Sequence, residues 1–337
     1  MSRAEITSSA APAVRSELGP GASILICRPN TRLGNTVLLT PLVEELQHSL
    51  PEAQIEILTA CPAAAEIFQE FPAVRRVHAL PFRGVRHPLT YLRTLLAVRR
   101  KRYDVIIDPC PNSWTARFLT RHLAGGLKVG FTIPRAEQGV DVSVPFQDAP
   151  RHMGAYPVYL ARRALFGLDP KSARADEVTL NVRLTDAERE YGRHEVRRLL
   201  GGEAHVPVIA VATHATGPKR FALAWWQRLI DELRTLLPAA RFIEIRPPGG
   251  RASLAALPGF SSRRIREVAA VIDAVQCFVC ADSGLMHLGA ATDTLTAGLF
   301  KVTLAQLYAP RRGRSCALEA SDAAPEATAA RLAQMLR

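Results

Sequence analysis

The segment VQCFVCADSGLMHLGAATDTLTAGL, Val275–Leu299, constrains the fold more than any other stretch of this chain. Val275–Cys280 is a short apolar run of the kind needed by a strand buried on both faces. Asp282, Ser283 and Gly284 follow, two residues that favour a helix N-cap and a glycine, so the pattern predicts a helix that opens there and runs through Ala291. Thr294–Leu299 is the next strand. Strand, turn, helix and strand in this order make a βαβ unit, and such a unit brings a parallel sheet with it. The turn also places unpaired backbone N–H groups at the carboxyl edge of the sheet, where an α/β protein holds phosphate. His287 lies one helical turn after Ser283 and shares its face. In isolation, Asp282 as a plain helix cap and His287 as a satisfied core histidine are the better readings; the rest of the chain changes the balance.

The same alternation runs through most of the sequence. Ser23–Cys27, Ile55–Leu58, Val74–Leu80, Asp104–Asp108 and Leu127–Phe131 read as strands, with helices over Thr36–Ser49, Ala63–Phe71, Leu89–Arg100 and Ser113–Leu123. Arg135–Arg151 lacks periodicity and reads as a loop, His152–Phe166 as a helix, and Gly167–Asp186 as a polar linker. A second series follows, with a helix over Thr185–Leu200 opened by the capping-box pattern Thr-Asp-Ala-Glu, strands at Val206–Ala212 and Arg241–Ile245, and helices at Ala222–Leu237 and Ile265–Ala274. Ala323–Arg337 closes the chain as a helix. The expectation is two Rossmann-like halves, distant structural copies of each other, with ligands held in the crevice they form. The expected divisions are a disordered tail over residues 1–22, an N-terminal domain over 23–168, a linker over 169–184, a C-terminal domain over 185–320 and a final helix over 321–337.

Charge narrows the partner. The chain of 337 residues carries a net charge of +12, which favours an anionic ligand or surface. From Arg75 to Arg102 there are nine basic residues, among them Arg83 and Arg86, and no acid. A solvated helix face normally mixes signs, so this block points to anions; with little aromatic interleaving and no nucleic-acid motif, a phosphorylated lipid or an acidic membrane fits better than nucleic acid. No apolar run reaches the roughly 18 residues of a membrane span, and the N-terminus has no secretory core, so the protein is expected in the cytoplasm. Cys277 and Cys280 form a CxxC, but their odd separation on a strand sends them to opposite faces, which argues against a metal or redox pair.

Two loops are placed for chemistry. Arg28–Asn35, RPNTRLGN, joins the first strand to a helix as a phosphate- or substrate-receiving turn would, and on local evidence an ordinary turn is an equal reading. It matches neither GxGxxG nor GxxxxGK[ST], so dehydrogenase and kinase readings lose support and no cofactor is called for. Thr213–Phe221, THATGPKRF, sets Lys219 and Arg220 where they can neutralise a diphosphate, against the bland alternative of a solvated charge pair. In the helix that follows, Trp226, Leu229, Ile230, Leu233 and Leu237 are spaced as core residues.

Taken together, ILICRPNTRLGNTVLLTPLVEEL, YDVIIDPCPNSWTARFLTRHLAG with KVGF, HMGAYPVYL, THATGPKRFALAWWQRLIDEL and REVAAVIDAVQCFVCADSGLMHLGAATDTLTAGLF resemble, in that order, glycosyltransferase family 9, the heptosyltransferases of lipopolysaccharide assembly. The resemblance covers roughly residues 23–310 and rests on DSGxMHL combined with the N-terminal RxGN-x-V-x-x-TP element. It implies the GT-B fold, an α/β architecture of two Rossmann-like, doubly wound parallel-sheet domains facing a central cleft. It also implies ADP-heptose or a related ADP-sugar as donor, an anionic lipopolysaccharide-core glycolipid as acceptor, peripheral contact with the inner face of the cytoplasmic membrane, and inversion without an essential metal. By position, Thr213, Lys219, Arg220, Asp282, Ser283, Gly284 and His287 would hold the donor, and Arg32, Gly34, Arg83 and Arg86 the acceptor. Because a carboxylate beside a diphosphate is repulsive, Asp282 is expected to orient the loop or accept sugar hydroxyls, leaving the phosphates to Lys219 and to the Ser283 and Gly284 N–H groups. The chain departs from the family at Asn35, where many members carry the aspartate taken to be the catalytic base, at Phe300-Lys301-Val302-Thr303, and at Leu285. Asn35 keeps a second reading open, a non-catalytic relative that binds nucleotide sugar or anionic glycolipid. A basic Rossmann pair that binds nucleic acid is a distant third.

Overall fold

The computed structural model describes residues 18–336 apart from 20, 83, 133–138, 175–177, 203–205, 251–253, 255–256 and 323. The expected tail up to residue 17 and the candidate Arg83 lie outside the described residues. The chain forms two compact units, one of residues up to Arg32 together with Leu39–Val178, the other of Leu33–Leu38 together with Thr179–Arg337.

In chain order the first stretch runs β1 (Ser23–Arg28), α1 (Leu33–Val37), α2 (Thr40–Ser49), β2 (Gln54–Thr59), α3 (Ala64–Phe68), β3 (Val74–Ala79), α4 (Pro88–Arg100), β4 (Tyr103–Asp108), α5 (Trp114–His122), β5 (Gly125–Phe131), β6 (Val142–Val144) and α6 (Ala155–Ala164). The second runs α7 (Asp186–Leu199), β7 (Val208–Ala212), α8 (Leu223–Leu236), β8 (Arg241–Ile245), β9 (Gly259–Phe260), α9 (Ile265–Asp273), β10 (Cys277–Ala281), α10 (Gly284–Gly289), β11 (Leu295–Phe300), α11 (Ala305–Tyr308), β12 (Cys316–Glu319) and α12 (Pro325–Leu336). The sheets read β3-β2-β1-β4-β5-β6 and β12-β11-β10-β7-β8-β9. Every strand pair is parallel. The second order is the first one repeated, so the two sheets are structural copies, each reversing direction beside its first strand. In doubly wound sheets that reversal opens a crevice at the carboxyl ends of the two central strands, here β1 and β4, or β7 and β10.

The central strands are apolar because both faces are covered. Ile24, Leu25, Ile26 and Cys27 are buried in β1, and every residue of β7 and β10 is buried. The α8 stripe packs as its spacing predicts, with Trp226, Leu229, Ile230 and Leu233 in the core and Leu237 partly buried against it. Thr185 and Glu188 complete the expected capping box on α7. The structure corrects the sequence reading at short elements. The loop expected over Arg28–Asn35 becomes helical at Leu33, and the aperiodic 135–151 stretch contributes β6. Strands of two to four residues such as β6, β9 and β12 are too short to show a period of two. The cysteines are unpaired. Burial pushes the Cys277 thiol up to about 12 and raises Cys280 as well, so neither is a ready thiolate. Cys277 belongs to the main core of its unit.

One buried polar cluster locks the first sheet. Glu56 on β2 accepts from Tyr103 at 2.7 Å and Lys101 at 2.8 Å, and His78 Nε2 lies 2.6 Å from its Oε2. Burial alone would raise the Glu56 carboxyl, but the donors from Lys101, His78 and Tyr103 outweigh it and bring it from an ordinary 4.5 down to about 2. A carboxyl depressed in the fold stabilises the protein above its unfolded value and ceases to do so as pH falls through the folded one. Wild-type stability should therefore drop between pH 4.5 and about 2, with Glu56 contributing about 3 kcal/mol of that drop. Denaturant unfolding of Glu56→Gln across this range should show a shallower slope and a lower plateau at neutral pH. Parallel curves for the two proteins would remove Glu56 as the cause.

Candidate functional site

The second unit carries most of the expected site at the β7/β10 switch point. β7 ends at Ala212, and the chain passes Thr213, partly buried, to a single 3-10 turn over Gly217–Lys219. Gly217 adopts φ +60°, a left-handed conformation that glycine takes without strain. Lys219, at the end of this turn, lies 2.6 Å from Asp282 Oδ2. That oxygen has no hydrogen bond of good geometry among the described residues, so the contact is an ion pair held by charge rather than a directed bond. Asp282 follows β10 directly and is 4% exposed, whereas the Lys219 side chain keeps 31% of its surface in solvent. The lysine side chain thus reaches solvent while its counter-ion is buried. Tyr308, at the end of α11, adds an aromatic wall, with Lys219 Nζ 5.7 Å from its ring centroid and the His287 ring 6.2 Å away.

Ser283 is the N-cap of α10 but makes no side-chain cap bond, and its buried Oγ finds no partner among the described residues. A buried hydroxyl left unpaired is costly, and an anion reaching it would supply an acceptor. α10 packs on α1 through a pair of glycines. A Cβ on Gly284 would stand 3.1 Å from the Gly34 backbone nitrogen, and one on Gly34 would stand 2.7 Å from His287 Cδ2. Backbone therefore meets backbone, and the residue after Gly34, Asn35, is brought to the neighbourhood of His287.

The expected donor set thus comes together in part. Lys219, Asp282, His287 and Gly284 form one cluster with Gly34, and Ser283 adjoins it. Arg220 is exposed, and its carbonyl accepts from Lys301 Nζ at 3.4 Å. Lys301 also pairs with Asp322 and stands 5.5 Å from the Phe221 ring centroid, which puts a second cation near the loop. Of the acceptor candidates, Arg32 and Arg86 are exposed residues of the first unit. Sequence reasoning missed Tyr308 and the Lys219–Asp282 pair. Asp282 was expected to orient the loop or accept sugar hydroxyls; the structure shows that its charge is compensated by the lysine. Among the described residues no group of three His, Cys, Asp or Glu side chains is placed to hold a metal ion, and no helix is long and apolar enough to cross a membrane.

Residues 261–333 match the family model described as glycosyltransferase family 9 (heptosyltransferase). No curated protein matches the chain. Among solved structures, the chain is similar to the glycosyltransferase family 9 protein of Veillonella parvula, at 15% identity over 92% of this chain and 89% of that one with a TM-score of 0.73. It is also similar to the ADP-heptose lipopolysaccharide heptosyltransferase II of E. coli, at 17% identity over 93% and 98% with a TM-score of 0.72. The E. coli heptosyltransferase WaaC, solved with ADP, aligns at 19% identity over 93% and 98% with a TM-score of 0.69. These likenesses show the fold: two parallel six-stranded sheets in the GT-B arrangement.

Proposed function

We propose that this chain, a heptosyltransferase-like protein of glycosyltransferase family 9, is an inverting glycosyltransferase that moves heptose or a related sugar from an ADP-sugar to a lipopolysaccharide-core or other anionic glycan acceptor. The observation that carries the reading is the Lys219–Asp282 pair at the switch point of the second sheet. A nucleoside diphosphate leaving group gathers negative charge as its bond to the sugar breaks, and a cation already fixed in place stabilises that charge without reorganisation. Lys219 is such a cation, held by a buried carboxylate but open to solvent on its other side. The neighbours' ligands point the same way, since one is solved with ADP and another is named for ADP-heptose.

In the reaction the acceptor hydroxyl oxygen attacks the anomeric carbon from the face opposite the diphosphate. The carbon–oxygen bond to the diphosphate breaks, ADP keeps the electron pair, and the hydroxyl proton passes to a base. Lys219 balances the departing charge in place of a metal, with the Ser283 hydroxyl and the Gly284 N–H as further donors. Asp282 positions Lys219 and accepts sugar hydroxyls, and Thr213, Arg220 and His287 line the donor. Arg32, Gly34, Arg83 and Arg86 meet the acceptor, and an acceptor carried on the inner face of the cytoplasmic membrane would draw the enzyme to that surface. The test is a donor panel: purified protein with ADP-, UDP- and GDP-sugars and a deacylated lipopolysaccharide-core acceptor. ADP should be released only when donor and acceptor are both present. Tight binding of ADP-sugars with no transfer from any donor would leave the non-catalytic reading, which Asn35 favours.

A further inference from the structure

The outer face of a helix that packs on a sheet normally carries polar residues. α4 breaks that rule. Its inner side is Val98, fully buried, with Tyr91 and Leu95 packed beside it. Its outer side carries Leu89, Leu92 and Leu96, which are 69%, 53% and 41% exposed. With the helical repeat, Leu89, Leu92, Arg93, Leu96 and Arg100 form one continuous stripe, spaced i, i+3, i+4, i+7 and i+11. Phe82, just before the helix, is 56% exposed. The neighbouring α5 repeats the pattern. Leu119 and Leu123, from α5 and its end, share one core with Val98, so both helices cover the same sheet face; outward, α5 presents Trp114 and Phe118, 65% and 63% exposed.

These side chains add nothing to the core of their own unit, and in water they cost solubility. Their company is one-sided, since no Asp or Glu occurs from Arg75 to Arg102. Leucine and aromatic tips flanked by arginines are what an interfacial helix needs, the tips entering the acyl boundary and the guanidinium groups pairing with lipid phosphate. A second copy of the chain would bring more arginine and no acid from this block. Nucleic acid would have no use for the leucines.

We propose that α4, with Trp114 and Phe118 of α5, is a bilayer-insertion face that docks the protein on an anionic lipid surface. The inference rests on the reading that the acceptor is membrane-borne, and it goes beyond charge attraction: leucine and aromatic side chains enter the lipid. Trp225 and Trp226 are buried, so among the three tryptophans Trp114 alone reports contact with lipid.

The test uses the full chain with vesicles of phosphatidylcholine alone, of phosphatidylcholine with phosphatidylglycerol, and of the same mixture with brominated acyl chains. With phosphatidylglycerol present, tryptophan emission should shift to the blue, and bromine should quench the shifted component. L89Q, L92Q and L96Q combined keep helix propensity and should lower partitioning by about 100-fold, with unchanged circular dichroism and unchanged ADP affinity. R93E with R100E should weaken it too. The proposal is overturned if bromine leaves Trp114 unquenched, if the leucine variant partitions as the wild type does, or if sedimentation shows that the leucines instead hold a dimer. Loss of ADP binding by the wild type would sink the transferase reading and leave the vesicle result standing.

Discussion

Lys219→Ala should lower turnover by about 10²–10³-fold, the usual loss when one fixed donor is removed from a site of developing negative charge. ADP should bind more weakly as well. The structure gives the second effect a specific cause. Asp282 is 4% exposed, and its ion pair with Lys219 is its charge compensation. Once the ammonium is gone, a buried carboxylate faces the incoming diphosphate, and two anions repel. Adding Asp282→Asn to Lys219→Ala should therefore recover part of the ADP affinity while leaving turnover low. Calorimetry with ADP and steady-state rates separate the two. Full activity and full ADP affinity in Lys219→Ala would remove this lysine from the donor site.

Asn35→Asp should act in the opposite direction. Inverting transfer needs the acceptor hydroxyl deprotonated as it attacks, and a neutral amide cannot take that proton. A positioned base contributes about 10²–10⁴-fold, so an enzyme with Asn35 turns over slowly and the variant gains up to that factor. The gain should vanish as pH falls through the new carboxyl's pKa, while the wild-type rate lacks that limb. Unchanged or lower turnover in the variant would show that another group takes the proton. The placement of Asn35 next to Gly34, whose missing side chain lets His287 approach, makes the imidazole the first group to replace in that event.

How much of this was legible in the sequence follows from the range of the interactions involved. Strands such as Ser23–Cys27 and the helix of Trp226, Leu229, Ile230 and Leu233 announce themselves because burial on a regular element leaves a period in the chain. The repeated strand–helix alternation announces two parallel sheets; their shared strand order is set by pairing and is seen only in the structure. β6 and β12 were invisible because edge strands of three or four residues owe their existence to a neighbouring strand, not to their own pattern. In the site, the sequence separately indicated Lys219 as a phosphate group and Asp282 as a loop element. Their pairing joins turns after two different strands, β7 and β10, that are adjacent only in the sheet. The same holds for Arg117, which donates to Asp108 at 2.9 Å and to the Phe131 carbonyl at 2.6 Å inside the first unit. Nothing in the spacing of those residues marks a buried ion pair. The outward leucines of α4 were legible only as part of a helix; which side faces the core is a tertiary fact.

The measurement that bears most directly on the transferase reading is the mass of the acceptor after incubation with the purified protein and each sugar donor. With an ADP-sugar the acceptor should gain the mass of one sugar residue, in step with ADP release, and with UDP- or GDP-sugars it should stay unchanged. An acceptor of unaltered mass with every donor, from a protein that still binds ADP, would contradict it.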